Sequence, residues 1–285
     1  MKKIFHIVGA GRVGQTFATL LSRHPDWQLS HIVSRRLPPN AFGAMVLADM
    51  ADLPPADVVI IATPDNAIEA TAERLAREVE LTPQTVVLHL SGAKTIQVLQ
   101  AVTVRGALAG SLHPVFAFAD VEYSVANLAG NLCAIEAEQA QAVEILQQLA
   151  EALSLTAFAL PSEYKARYHA ALSAASNFSV TLAAFAQDLL APLALPETLS
   201  RRLVGNLMQQ SINNLGKLPP LQALTGPIVR GDDSTVAAHL AAMTAEEQAA
   251  YRAWAQATLN LAAARLDKQS VEKVHTALHS GSESV

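Results

Sequence analysis

The segment from Glu163 to Asn177, EYKARYHAALSAASN, places an amine, an imidazole, two hydroxyls and an amide along what reads as one helix. At about 100° per residue, Lys165, His169, Ser173 and Ser176 fall within one quadrant, with Asn177 at its margin. After Arg167 no Asp, Glu, Lys or Arg occurs before Asp188, so most of the helix is expected to be buried. A Lys ammonium held in a cleft can hydrogen-bond to charge developing on a reacting oxygen or nitrogen and then deliver a proton. Desolvation would lower its pKa towards the working range. His169, one turn on, could relay or orient that proton, while Ser173, Ser176 and Asn177 could hold polar groups of a substrate or ordered water. The competing reading is a solvated first-turn lysine and a satisfied core histidine. The aligned quadrant favours a site.

The elements around this helix fall into two kinds. KIFHIV, QLSHIVS, DVVIIAT, TVVLHLS and RGALAGSLHP read as strands. GQTFATLLSRH, DNAIEATAERLAREV and AKTIQVLQAV read as the helices between them, and the alternation implies parallel pairing in a doubly wound sheet. NLCAIEA, a helix from Glu138 to about Ala152, and LTAFAL extend the pattern to Leu160. After Pro161 only helices are expected: Ser162 to about Leu190, Pro196 to about Leu215, Asp233 to Ala242, and a long last helix opening at TAEE, where Thr244 and Glu247 have capping-box spacing. The fold class is therefore α/β, a doubly wound Rossmann sheet (residues 1–160) followed by a separate all-α domain (residues 161–285). The SGSESV tail is expected to fray.

GAGRVG directly follows the first strand and opens a helix. Gly9 would make the tight turn, Gly11 would let the backbone approach a pyrophosphate, and Gly14 would let helix and strand pack closely. The run Gly9, Ala10, Gly11, Arg12, Val13 and Gly14 thus reads as a dinucleotide cradle, with the helix N-terminus supplying free N–H groups to the anion. About 20 residues further on, an NAD site places an acid on the ribose. Ser34, Arg35 and Arg36 stand there instead, and a guanidinium pairs with a phosphate dianion that a carboxylate would repel. NADP(H) is the expected cofactor.

Ligands of such sheets lie beyond the carboxyl ends of the strands. The residues there are Thr63, Pro64 and Asp65, then Ser91 and Gly92, then Ser111 and His113. Turn chemistry accounts for the first two groups by itself, but His-Pro is not a favoured turn pair, so His113 is a candidate for substrate or nicotinamide contact. In ALTGPIVRGDD, Thr225 can open a tight turn and Arg230 could bind a carboxylate. Equally, Arg230, Asp232 and Asp233 could only solvate and cap the next helix.

Composition narrows the classes. The chain has 285 residues, 51% hydrophobic and 16% charged, with a net charge of −5. Nothing in it resembles a nucleic-acid footprint or a basic membrane-binding block. The single Cys133 lies in an apolar run and reads as a buried structural thiol. No metal site is expected. The uncharged stretch from Ala170 to Gln187 nears the length of a membrane span, roughly 18–20 residues, but its Ser, Thr, Asn and Gln favour a buried helix. A cytoplasmic protein is expected.

VGAGRVG, TPDNAI, HLSGA, SLHPVFAF, EYKARYHAALSAASN and ALTGPIVRGD occur in this order. Together they resemble the Rossmann-like proteins carrying the C-terminal domain of unknown function 2520, relatives of ketopantoate reductase and pyrroline-5-carboxylate reductase. The resemblance covers nearly the whole chain. It implies a 6-phosphogluconate-dehydrogenase-like first domain, a helical second domain that forms a homodimer, and NADPH-dependent reduction of a small 2-oxo acid, with ketopantoate the leading substrate. Reduction of a cyclic imine, or nonenzymatic sensing of NADP(H), are the alternatives. In the wider β-hydroxyacid dehydrogenase group a Lys on the first long helix after the Rossmann domain is followed one turn later by Asn. Lys165 matches that Lys, and His169 stands where the Asn would be.

Overall fold

The computed structural model describes residues 1–280, so most of the SGSESV tail lies outside the described residues. The first part of the chain forms β1 (Lys3–Val8), α1 (Arg12–Leu21), β2 (Trp27–Val33), β3 (Met45–Leu47), β4 (Val58–Ile61), α2 (Ile68–Glu78) and β5 (Val86–His89). Then come α3 (Gln100–Val104), β6 (Leu108–Pro114), α4 (Val121–Asn127), β7 (Leu132–Glu136), α5 (Ala140–Ala152), β8 (Thr156–Ala159) and α6 (Lys165–Ala175). The strands make one eight-stranded sheet in the order β3-β2-β1-β4-β5-β6-β7-β8. Its direction of winding reverses between β1 and β4, where doubly wound sheets bind ligands.

β4 (VVII) and β5 (VVLH) are buried along their whole length, as central parallel strands covered on both faces must be. Alternation divides their side chains between two cores. Val58, Ile60, Val86 and Leu88 pack with Phe17, Leu21, Leu146 and Leu149 from α1 and α5. Val59, Ile61 and Val87 pack with Ile68, Leu75 and Leu99 on the other face. Cys133 is fully buried in the first core, and burial pushes its thiol up to about 12.

Several expectations need correction. β3 was not foreseen, because three residues are too few to show alternation. β7 pairs antiparallel with β6, so the pattern of parallel pairing does not extend through NLCAIEA. The helix read as running from Ser162 to about Leu190 divides at Ser176 (φ −106°, ψ −68°), the C-cap of α6; α6 ends before it and α7 (Asn177–Asp188) starts after it. Nor is this stretch mostly buried: Lys165 is the one buried residue of α6, and α7 has none.

The chain divides into two compact units, Met1–Asn177 and the remainder from Phe178. Strands end at Ala159, close to the compositional change at Pro161, but α6 belongs with the sheet. The second unit holds α7, α8 (Glu197–Leu215), α9 (Pro220–Ala223), α10 (Asp233–Ala241), α11 (Ala245–Ala262) and α12 (Lys268–His279). Its described residues form no strand, and the long last helix is two helices, α11 and α12. Thr244 and Glu247 make the reciprocal capping box that opens α11. The core of this unit gathers Val236, Leu240, Leu259, Ala262, Val274 and Leu278. Among the described residues no helix is long and apolar enough to cross a membrane.

Candidate functional site

At the end of β1, Gly9 has φ +103°, and a Cβ there would lie 2.7 Å from the Ala62 carbonyl oxygen. A Cβ on Gly14 would meet the Gly9 oxygen. Both positions therefore require glycine, one for its dihedral and its crowding, the other for contact between α1 and the loop. Gly11 differs: nothing lies within 4 Å of a Cβ built on it, so its face is open at the N-terminus of α1. The first N–H groups of that helix have no intrahelical acceptor. On the neighbouring β4 end, the Thr63 hydroxyl is buried with no partner among the described residues. An open face, free N–H donors and an orphaned hydroxyl fit a pyrophosphate-bearing dinucleotide.

The β2 end is equally permissive. Arg35 and Arg36 are exposed, and the Arg36 N–H donates to Ser34 Oγ at 3.2 Å. No acid occurs between Asp26 and Asp49. The β4 and β5 ends are tied together: Ser91 Oγ donates to Asp65 Oδ2 at 2.7 Å and accepts from the N–H groups of Ala93 and Lys94. Ser91 and Asp65 thus already shape the loop after β5.

Behind this edge runs a buried polar row across three strands. His89 on β5 is in register with Ser111 on β6, and Ser111 with Glu136 on the antiparallel β7. Lys165, only 1% exposed, lies over the row. Its ammonium donates to the Lys94 carbonyl at 2.5 Å and to Ser111 Oγ at 2.6 Å, and pairs with Glu136 Oε2 at 2.7 Å. Glu136 Oε1 accepts from Ser162 Oγ at 2.5 Å and from the Ile96 N–H at 3.3 Å. Burial lowers the Lys165 pKa, and Glu136 opposes that shift. The ammonium thus makes two hydrogen bonds and one ion pair inside the protein. His89 is neutral, lowered to about 3 first by burial and then by Lys165; its Nδ1 accepts from the Ser91 N–H, so Nε2 donates to the Thr95 carbonyl.

His113 stands two residues beyond Ser111 and so on the same face of β6. Its ring packs against Gly92, where an added Cβ would fall 2.7–2.9 Å from ring atoms. Its Nδ1 lies 2.9 Å from Tyr168 Oη on α6, the two rings meeting edge to face. Burial first, then the nearby His169 and Lys165, lower His113 to about 4, against a smaller raising effect of Asp65. Its Nε2 has no hydrogen-bond partner among the described residues. A neutral imidazole with a free nitrogen, half-buried at a strand end, can polarise a bound oxygen or move a proton.

The quadrant read from the sequence is brought together only in part. Lys165 and Tyr168, three residues apart, are the α6 residues that reach the strand ends. His169 is exposed and near enough to act on His113 electrostatically; Ser173 is half-buried, and Ser176 and Asn177 are exposed. Thr225 and Arg230 are exposed in the second unit, where Asp232 caps α10 by accepting from the Thr235 N–H. Glu136 and Tyr168 were not foreseen. An acid closing the apolar strand LCAIE was the available signal for Glu136. Among the described residues no group of three or more His, Cys, Asp or Glu could hold a metal ion.

Residues 2–114 match the Rossmann-like domain family, and residues 131–258 match the domain of unknown function DUF2520. The fold resembles a Bacteroides fragilis protein named as a candidate NADP oxidoreductase (22% identity, 93% of this chain and 98% of that one, TM-score 0.71). It also resembles protein TM1727 of Thermotoga maritima (24% identity, 96% and 98%, TM-score 0.65). A third likeness is to Plasmodium falciparum pyrroline carboxylate reductase with NADP bound (10% identity, 95% and 98%, TM-score 0.62). At these identities the likeness is one of fold. No curated protein matches the chain. The chain thus carries a Rossmann-like domain match followed by a DUF2520 domain match.

Proposed function

We propose that the protein is an NADP(H)-dependent oxidoreductase that reduces a small 2-oxo acid, ketopantoate being the named substrate to test first. The observation that carries this reading is His113, neutral and with Nε2 unpartnered, on the same sheet edge as the open glycine loop. Gly9 to Gly14 would hold the pyrophosphate, Arg35 with Ser34 and Arg36 the 2′-phosphate, and the Thr63 hydroxyl a further polar group of the cofactor. The bound cofactor would supply a hydride to the substrate carbon. His113 would then hydrogen-bond the substrate oxygen as the carbonyl pair settles on it. Lys165 would act through what it holds, fixing Ser111, the loop at Lys94 and the start of α6. A donor role for its own ammonium requires one of these contacts to be given up.

The second reading is reduction of a cyclic imine, favoured by the fold likeness to pyrroline carboxylate reductase. A nonenzymatic sensor would need no histidine beside the redox carbon. Mixing the purified protein with NADPH and a panel of 2-oxo acids and cyclic imines, and following the reduced-nicotinamide absorbance, tests these readings together. Loss of absorbance with a 2-oxo acid is expected; loss with imines alone favours the second reading, and no loss with either the sensor.

The protein is also proposed to work as a homodimer through its helical unit. Phe178 and Leu182 on α7, and Leu199, Leu203 and Leu207 on α8, are all exposed apolar residues at four-residue spacing. Such a surface needs a partner.

A further inference from the structure

We infer that Tyr168 fixes His113 in the tautomer that carries its proton on Nε2, so that the site recognises a substrate through an acceptor oxygen and not through a protonated nitrogen. The inference rests on the proposed reductase reading for its substrate class, and on the geometry alone for the tautomer.

The 2.9 Å contact between His113 Nδ1 and Tyr168 Oη allows either atom to be the donor. Two observations choose between them. Burial raises the Tyr168 hydroxyl to about 12, so it keeps its proton and has one to give. His113 Nδ1 is also the hydrogen-bond partner that Tyr168 Oη has among the described residues, so a tyrosine accepting from Nδ1 would leave its own proton without an acceptor. Tyr168 therefore donates, Nδ1 accepts, and the ring proton sits on Nε2. The tyrosine is itself held by ring contacts with His113 and Phe158, and the His113 ring by its seat against Gly92.

An Nε2–H facing the substrate attracts a carbonyl oxygen. It repels the N–H of an iminium, which calls for an acceptor. This separates the two reductase readings. The proton balance also follows. As hydride reaches the carbonyl carbon, the C=O pair moves to oxygen. The Nε2 proton passes to that oxygen, and the Tyr168 proton passes to Nδ1. His113 ends neutral in the other tautomer, and water returns a proton to the tyrosinate. Tyr168 acts through His113 and is a positioning residue.

The test begins with the protein alone. In long-range proton–nitrogen NMR spectra of ¹⁵N-histidine-labelled protein near pH 7, assigned with His113→Gln, His113 is expected to show protonated Nε2 and bare Nδ1. In Tyr168→Phe, which keeps the ring, the pattern is expected to move towards a tautomer mixture. Protonated Nδ1 in the wild type, or an unchanged pattern in Tyr168→Phe, overturns the inference. With substrate, Tyr168→Phe is expected to lower kcat about 10–100-fold, the scale for removing a residue that orients an imidazole, with a smaller change in KM. Turnover of cyclic imines with none of 2-oxo acids overturns the substrate class even if the tautomer is as expected. Failure of the whole panel sinks the reductase reading while the spectra still decide the tautomer.

Discussion

Lys165 Nζ lies 2.7 Å from Glu136 Oε2, and this buried ion pair joins the first turn of α6 to the last residue of β7. The antiparallel pairing of β7 creates the partnership by placing Glu136 opposite Ser111, within reach of the same ammonium. One side chain thereby fixes two strands, the loop at Lys94 and the helix that carries Tyr168 to His113. Removing water from both charges costs several kcal/mol, so the pair serves placement more than net stability.

Breaking the pair from one side should be severe. Lys165→Met leaves Glu136 buried without a counter-charge and is expected to cost about 3–5 kcal/mol in urea unfolding. Lys165→Met with Glu136→Gln removes both charges and should recover much of that loss. A double variant as unstable as the single one would show that the charges themselves are not the issue.

Acid should destabilise the fold at an unusually high pH. His89 and His113 are held at about 3 and about 4, and burial also lowers His6, all below the ordinary value of about 6.5. Lys165 and His113 face His89; His169, Lys165 and Asp65 face His113; His31 faces His6. A depressed histidine pKa means that below about 6.5 the unfolded chain binds protons that the folded chain refuses, so stability falls with pH. Above about 6.5 these histidines are neutral in both states and contribute no slope. Urea midpoints should be flat across pH 7–8 as far as these groups are concerned and drop steadily from pH 6.5 to 4.5. A midpoint that rises on acidification would contradict the assignment.

The glycine loop was legible in the sequence because each glycine answers a local backbone demand. The α6 site was legible only by residue type. Helical spacing groups Lys165 with His169, but the path of the chain out of β8 decides which side of the helix meets the sheet. That side carries Lys165 and Tyr168, leaving His169 exposed. Glu136 was hidden because strand polarity is a tertiary fact: LCAIE reads the same parallel or antiparallel, yet only the antiparallel register places its acid beside Ser111. Tyr168 was passed over as one aromatic in an apolar helix.

Cofactor choice should follow the end of β2. Arg35→Ala is expected to weaken NADP(H) binding by about 1.5–3 kcal/mol, the scale of a lost charge-assisted hydrogen bond, and NAD(H) much less. Titration of both cofactors into wild type and variant measures this. Equal affinity of the wild type for the two would remove the basis of the assignment.

Gly92→Ala tests whether the His113 seat matters. The new Cβ would stand 2.7 Å from the ring, so the ring must swing away from Gly92 and from Tyr168. A misplacement of about 1 Å in a reacting group can cost 10²-fold in rate, and a loss of that order is expected. The histidine NMR pattern should change with it. Full turnover in this variant would mean that the His113 position is not used.

The helical unit gives the last prediction. Leu199, Leu203 and Leu207 recur every four residues on α8, with exposures of 47%, 46% and 62%. They therefore form one stripe along the helix, while Val204 is its buried contact. Phe178 and Val180 on α7 are exposed by 61% and 71%. A second copy of the same surface can cover such a stripe by two-fold symmetry, each leucine meeting its counterpart or a neighbour. The wild type should sediment as a dimer at micromolar concentration. Leu203→Glu with Leu207→Glu places two like charges per chain in that contact, where their desolvation goes uncompensated. The variant should become monomeric while keeping the helical signal of the wild type, since neither leucine belongs to the core of the unit. A monomeric wild type, or a double variant that still sediments as a dimer, would rule out this face.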